Sequence, residues 1–328
     1  MMYLVGKTKT MKNIVVLDGH TLNPGDLDWS GLQALGNVIL YDRTPEHEVA
    51  ARSKDAHIIL TNKAIVSGET IRQLEHLEYI GVTATGFNIV DTHAARSRHI
   101  PVTNVPAYST ASVAQLTFAL ILELCHHTGL HAVSVRAGEW SSSIDFSYWK
   151  TPLTELAGNT LGIVGLGQIG QAVARIALAF GMKVIAHHKH PDRDAMPGVT
   201  FVDQATCFRE ADIISLHCPL NAANKEFVNA ALLRTMKKNA FLVNTSRGPL
   251  ICEADLADAL EKGIIAGAAL DVLSAEPPPA GNPLITAPNT IITPHIAWAT
   301  QAARKRLMYT SVENVKAFLE GNPKNIIN

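Results

Sequence analysis

Cysteine, net charge and long apolar runs are all scarce in this 328-residue chain, and each scarcity removes a class of protein. The four cysteines, Cys125, Cys207, Cys218 and Cys252, lie far apart and make no CxxC pair. A disulfide-stapled miniprotein is excluded, and the thiols read as reduced, buried groups of a cytoplasmic protein. Twenty-eight Lys and Arg stand against 29 Asp and Glu, a formal charge of −1. No global basic field exists to hold nucleic acid or an anionic membrane surface. No apolar run reaches the roughly 18 to 20 residues of a membrane span. Even the stretch from Val113 to Leu124 is interrupted by Gln115, Thr117 and Glu123. Residues 1–10 carry two lysines but neither the apolar core nor the cleavage site of a signal peptide, so Met11 is the expected functional start. What is present is 47% hydrophobic and 17% charged, long enough for a large core in one or two domains. A small molecule is the expected partner. Histidine alone is in excess, with 14 residues.

Short apolar runs bounded by turn residues alternate with helical patterns, as parallel sheets with crossover helices require. Ile14 to Leu17, Val38 to Tyr41, His57 to Leu60, Tyr79 to Val82 and Pro101 to Asn104 form a first set of strands. Leu161 to Val164, Lys183 to Ala186, Asp212 to Leu216, Ala240 to Asn244, Gly267 to Asp271 and Thr290 to Ile292 form a second. One helical stretch from Ser109 to about Ala137 separates the sets, with apolar residues at three- and four-residue spacing. Two α/β units are therefore expected. The segment Gly138 to Thr151 is polar and aromatic without periodicity, and leaving Trp140 and Trp149 in water is costly, which points to a partner surface. Pro277 to Pro279 mark an irregular loop, and a last helix is expected from about Ala299 to Leu319.

The run Leu161 to Val164 leads into Gly165-Leu166-Gly167-Gln168-Ile169-Gly170 and then a helical AVARIALAFG. Strand, GxGxxG and helix in that order are the context a dinucleotide fingerprint needs. Gly165 permits the tight turn, Gly167 lets a pyrophosphate approach the backbone, and Gly170 lets the helix pack on the strand. The helix N-terminus turns its free N–H groups towards the phosphates. The next strand ends in His187-His188-Lys189-His190 rather than in the Asp or Glu that takes the ribose hydroxyls of NAD. A carboxylate there would repel a 2′-phosphate, whereas His188 and Lys189 would neutralise one. The expected cofactor is NAD(P)H with a lean to NADP. The other reading leaves these residues solvated and gives the ribose to Asp192 or Asp194. The histidines here lack acidic or cysteine partners at zinc-ligand spacing, so no metal is expected.

Further segments place polar residues at strand ends of the second unit, where open parallel sheets bind ligands. The phosphate loop, Val243-Asn244-Thr245-Ser246-Arg247-Gly248, Leu270-Asp271-Val272 with Glu276-Pro277, and Thr293-Pro294-His295-Ile296-Ala297 follow one another along the chain. In this order they resemble the signatures of the D-isomer-specific 2-hydroxyacid dehydrogenases, from about Lys12 to the chain end. That resemblance implies Arg247, Glu276 and His295 as the catalytic set, and the residue chemistry agrees. Arginine binds a carboxylate through two parallel N–H bonds. Histidine exchanges a proton near neutral pH, and a glutamate on its other nitrogen fixes the tautomer. The nicotinamide supplies hydride.

The resemblance further implies Gln168, Ile169 and Thr245 among the cofactor contacts, Cys218 and Pro219 beside the cofactor cleft, and Asp271 at the nicotinamide carboxamide. It places Thr85 and Gly86 in a substrate loop, Gly81 to Asn88, whose N–H groups help hold the substrate carboxylate. Asn62 and Lys63 end an earlier strand and read either as cleft residues or as an exposed loop. Asn104 to Tyr108, Ser112 to Gln115, Gly138-Glu139-Trp140 and His295 to Trp298 resemble the glycerate dehydrogenase (hydroxypyruvate reductase) branch, with Trp298 shaping the pocket. The implied reaction interconverts D-glycerate and hydroxypyruvate. A broad D-2-hydroxyacid dehydrogenase or glyoxylate reductase is the alternative within the class; a nucleotide-sensing protein like the family's corepressors is the alternative outside it. The resemblance also implies a homodimer formed through the long helix and the aromatic arm. The implied fold is α/β with two doubly wound parallel sheets, a Rossmann dinucleotide-binding domain at 109–295 inserted into a flavodoxin-like substrate domain at 12–108 plus 296–328.

Overall fold

The computed structural model describes residues 11–328, so the reading of residues 1–10 as an extension ahead of Met11 lies outside the described residues. The chain divides into two compact units. One holds the described residues up to Tyr108 together with Ala299–Asn328; the other is Ser109–Trp298. Each is built on a parallel sheet whose inner strands are buried along their length, as strands covered by helices on both faces must be.

In the first unit, β1 (Asn13–Val16), β2 (Asn37–Leu40), β3 (Ile58–Thr61), β4 (Tyr79–Val82) and β5 (Val102–Thr103) pair in the order β2-β1-β3-β4-β5. This is the flavodoxin-like order, with its topological switch point between β1 and β3. The final helix, Gln301–Leu319, lies on this sheet: Phe318 stacks on buried Tyr79 with ring centroids 4.8 Å apart. Arg304, 9% exposed, anchors the start of that helix by donating to both oxygens of Asp26 at 2.6 and 2.7 Å.

In the second unit, β6 (Thr160–Val164), β7 (Lys183–His187), β8 (Val199–Phe201), β9 (Ile213–Leu216), β10 (Phe241–Asn244), β11 (Gly267–Leu270) and β12 (Thr290–Ile292) pair in the order β12-β11-β10-β9-β6-β7-β8. This is the doubly wound dinucleotide-binding order with one further strand, and its switch point lies between β6 and β9.

Two elements differ from the sequence expectation. Strand β8 carries only the short alternation Val199-Thr200-Phe201, too brief to announce a strand, since it is three residues long, half-buried and at the sheet edge. The stretch from Ser109 to about Ala137 is two helices, Thr110–His126 and Thr128–Arg136, bent by 59°. His127 closes the first in the left-handed region at φ 46°, and the Glu123 carboxylate then accepts from the Thr128 hydroxyl and the Gly129 N–H, satisfying the start of the second. Among the described residues no single helix is long and apolar enough to cross a membrane.

Candidate active site

Because its pairings are all parallel, the second sheet brings the C-terminal ends of its strands to one edge, and the sequence motifs sit there. The loops after β6 and β9 meet at the switch point. Gly165 has φ 98°, and a Cβ on it would lie 2.6 Å from the Cys218 nitrogen, so a side chain has no room. A Cβ on Gly170 would lie 2.2 Å from the Gly165 carbonyl oxygen, which is why the helix packs closely only with glycine there. Gly167 is different, because a Cβ on it would meet nothing within 4 Å. Gln171 is the first residue to close a helical turn, on the Gly167 carbonyl, and the N–H groups of Gln168 and Ile169 ahead of it have no acceptor among the described residues. An open backbone face beside free helical N–H groups fits a pyrophosphate.

His188 follows β7 directly and is held at both ring nitrogens. Its Nδ1 accepts from the Leu166 N–H at 3.0 Å, and its Nε2 donates to Asp194 Oδ2 at 2.6 Å. Arg193 in turn donates to Asp194 at 2.5 Å, and with His188 it holds that carboxyl down at about 2. Lys189 and Gln168 are exposed. Ile169 packs on the core beneath the loop.

The three residues expected to be catalytic, Arg247, Glu276 and His295, lie in the loops that follow β10, β11 and β12, three neighbouring strands. Arg247 is turned out by buried Asn244, whose side chain accepts from the Ser246 N–H and donates to the Arg247 carbonyl. Its guanidinium is exposed, donates to the Ser246 carbonyl at 2.7 Å and, among the described residues, has no acidic partner. Gly248 follows because the chain passes close: a Cβ there would lie 2.0 Å from the backbone of Leu273. Just beyond, Glu276 accepts from the Leu273 N–H and, at 2.6 Å, from Nδ1 of His295. A carboxylate only accepts, so the Nδ1 proton is fixed and Nε2 is the atom left to exchange one.

His295 itself sits in the left-handed region at φ 52°, which a non-glycine residue keeps only when its surroundings impose it. Asp271 imposes it. Its carboxylate, 1% exposed, accepts from the Thr293 hydroxyl at 2.6 Å, the Ile296 N–H at 2.9 Å and the Ala297 N–H at 2.8 Å. Burial raises the Asp271 carboxyl. The side chain that the resemblance places at the nicotinamide carboxamide also holds the histidine turn. Thr245 likewise faces inward, its hydroxyl 3.0 Å from that of Thr117. Cys218 lends its carbonyl to the Ser246 hydroxyl, tying the loops after β9 and β10, and burial pushes its thiol up to about 11. Pro219 is exposed beside it, and Trp298 closes the unit half-buried.

In the first unit, Thr85 donates to the Val105 carbonyl and its own carbonyl accepts from Asn104, so the loop holding Thr85 and Gly86 is tied down along one side. Asn62, 6% exposed, donates to the Thr83 carbonyl, whereas the Lys63 side chain is exposed. At this unit's switch point Asp18 accepts three backbone N–H bonds, from Asn62, Lys63 and Ala64. Sequence reading passed over Asp18, Ser246 and Thr293. The only signal for Asp18 is an acid directly after a strand.

The family model described as "D-isomer specific 2-hydroxyacid dehydrogenase, NAD binding domain" matches residues 118–297. The chain belongs to this family. Over 320 residues, 96% of this chain and 99% of the relative, it is 48% identical to a hydroxypyruvate reductase of Blautia hydrogenotrophica. It is 41% identical over 286 residues, 87% of this chain and 89% of the relative, to a glycerate dehydrogenase of Methylorubrum extorquens. The solved structure of a D-lactate dehydrogenase with NAD+ from Lactobacillus jensenii superposes with a TM-score of 0.80 at 28% identity, covering 96% of this chain and 99% of that one. The dehydrogenase therefore acts on a CH–OH group with a nicotinamide cofactor, and the phosphate loop after β6 has the open backbone that cofactor needs.

Proposed function

We propose that this dehydrogenase interconverts hydroxypyruvate and D-glycerate, with glyoxylate as a second substrate. The observation that carries the reading is the Glu276–His295 pair at 2.6 Å, which leaves Nε2 as the proton-exchanging atom on the same sheet edge as an arginine with no acidic partner among the described residues. Arg247 takes the substrate carboxylate through two N–H groups and orients the keto carbon. His295 Nε2 gives its proton to the ketone oxygen as that oxygen gains charge, and Glu276 stabilises the imidazolium that does so. Bound cofactor supplies the hydride. In the reverse direction Nε2 takes the hydroxyl proton. Thr85, Gly86 and Trp298 are proposed as substrate contacts. The similarity to hydroxypyruvate reductase and glycerate dehydrogenase over most of both chains supports the choice of acid.

A homodimer is part of the proposal. Its support is the arm after Arg136, where Ile144 is 99% and Phe146 92% exposed, and an apolar groove of about 650 Å³ lined by Ala111, Gln115, Leu122 and Ile176. Four free thiols support a cytoplasmic setting. The test is absorbance at the nicotinamide band with hydroxypyruvate, glyoxylate and pyruvate, each with NADH and with NADPH. Hydroxypyruvate is expected to give the highest kcat/KM, and the protein is expected to sediment as a dimer. Tight cofactor binding without turnover of any 2-keto acid would overturn the enzymatic reading, and a monomer at micromolar concentration the dimer.

A further inference from the structure

The residue that follows the second strand of the dinucleotide unit is where an ionic partner for the cofactor is expected, yet the His188 ring has no free polar atom. Leu166 N–H is a donor, so Nδ1 carries no proton; Asp194 is an acceptor, so Nε2 carries one. The two bonds define a neutral imidazole in a single tautomer. Its side chain is 10% exposed and that of Asp194 15%, and Arg193 closes the far side of the carboxylate. A cation offered to a 2′-phosphate would have to give up the Leu166 bond to accept a second proton.

What the ring holds is the phosphate loop itself. β6 and β7 pair in register from Thr160 with Lys183 to Val164 with His187. The next donor, Gly165 N–H, reaches the His187 carbonyl at 2.9 Å. The donor after that, Leu166 N–H, finds no main-chain acceptor among the described residues and is taken by His188 Nδ1 instead. The imidazole thus adds one rung to the sheet ladder beyond the strand end, at the point where the loop turns to present Gly167 and the N–H groups of Gln168 and Ile169. Leu166 is fully buried, so without this rung its N–H has neither water nor protein to bond.

We propose that His188 is a positioning residue that fixes the phosphate loop, braced by Asp194 and Arg193, and not an ionic contact of the cofactor. The inference rests on the dinucleotide reading of the loop and corrects the expectation that His188 neutralises a 2′-phosphate. Asparagine makes the decisive substitution, because its Oδ1 can occupy the place of Nδ1 and accept the Leu166 N–H while carrying no charge.

Dissociation constants for NADH and NADPH, measured by fluorescence titration of the whole protein, separate the two roles. His188→Ala is expected to weaken both cofactors together by about tenfold, the cost of a buried donor left unpaired. His188→Asn is expected to restore both to within about threefold of the unaltered protein. A loss confined to NADPH in both variants would make His188 the phosphate's cation and overturn the proposal. So would an asparagine variant as weak as the alanine one, or an alanine variant with unchanged affinities. If the alanine variant fails to fold, the asparagine variant alone decides: NADPH-selective loss overturns the proposal, and near-normal binding of both supports it. Failure of the unaltered protein to bind either cofactor would instead remove the dinucleotide reading itself.

Discussion

The two sheets have the same kind of switch point and use it in opposite ways. Between β6 and β9 the chain leaves its own groups open: a Cβ on Gly167 would meet nothing within 4 Å, and the first helical N–H groups have no acceptor among the described residues. Between β1 and β3 the donors that follow β3 are already taken, because Asp18, which follows β1, accepts from Asn62, Lys63 and Ala64. An internal carboxylate sits where a bound anion would sit, and it would repel a phosphate. The topology of a doubly wound sheet makes a place for a ligand, but whether one binds depends on whether the chain satisfies that place itself. The same contrast runs along both edges. The second sheet ends in a histidine nitrogen and an exposed guanidinium, the groups proposed to meet the substrate, whereas the first ends in loops bonded to one another through Asn62, Thr85 and Asn104.

The sharpest break of this comparison is at the open edge. His295→Ala removes the proposed proton donor while leaving Gly165 to Gly170 untouched, so kcat should fall by at least about 10³-fold with NADH affinity within twofold. Steady-state rates beside a fluorescence titration check both halves. Turnover within tenfold of the unaltered protein would mean that the open edge of the second sheet is not where the proton moves.

A smaller effect, of a different kind, is expected at the closed edge. Asp18→Ala strands three N–H groups in a loop where Asn62 is 6% and Ala64 8% exposed. The expected cost is about 2 kcal/mol of stability, since water can reach some but not all of the orphaned donors. Chemical denaturation should show it as a lower midpoint at unchanged slope, with cofactor affinity unchanged. An unaltered midpoint would show that this switch point is not held by its own anion, and the contrast between the sheets would lose one side.

Why the open edge was legible in the sequence and the closed edge was not follows from the same contrast. Groups kept for a ligand recur in fixed order and spacing, so Gly165 to Gly170, Arg247, Glu276 and His295 stand out as motifs. Groups that satisfy the chain itself are ordinary residues whose partners lie far away in sequence. Asp18 meets a loop 44 to 46 residues later, and His188 meets an N–H 22 residues earlier. The charge a histidine could carry is visible from its type; the tautomer it holds is set by neighbours that only the fold supplies. The same limit hid what Asp271 does, because residue type does not say that its carboxylate turns onto Thr293, Ile296 and Ala297. Apolar runs announced even the exposed edge strand β2, whereas β8, also at an edge, offers only Val199-Thr200-Phe201, too short a run to stand out. The helix break at His127 has neither glycine nor proline at its left-handed residue, and the cap that replaces them comes from Glu123.

The finest test of the comparison separates room for the chain from room for the ligand. Gly167 lies at φ −73° and ψ −164°, extended backbone that alanine adopts freely, and a Cβ there meets nothing within 4 Å. Gly167→Ala should therefore leave the unfolding midpoint unchanged or slightly raised, since alanine has less freedom to lose on folding. The added methyl nevertheless occupies the face the pyrophosphate approaches, and NADH and NADPH should both weaken by about tenfold. Gly170→Ala gives the contrasting case, because its Cβ would lie 2.2 Å from the Gly165 carbonyl oxygen and must displace backbone, so the midpoint falls as well. A Gly167 variant that binds both cofactors normally would place the phosphates elsewhere. One that unfolds early would mean the space belongs to the chain after all, as it does at Asp18.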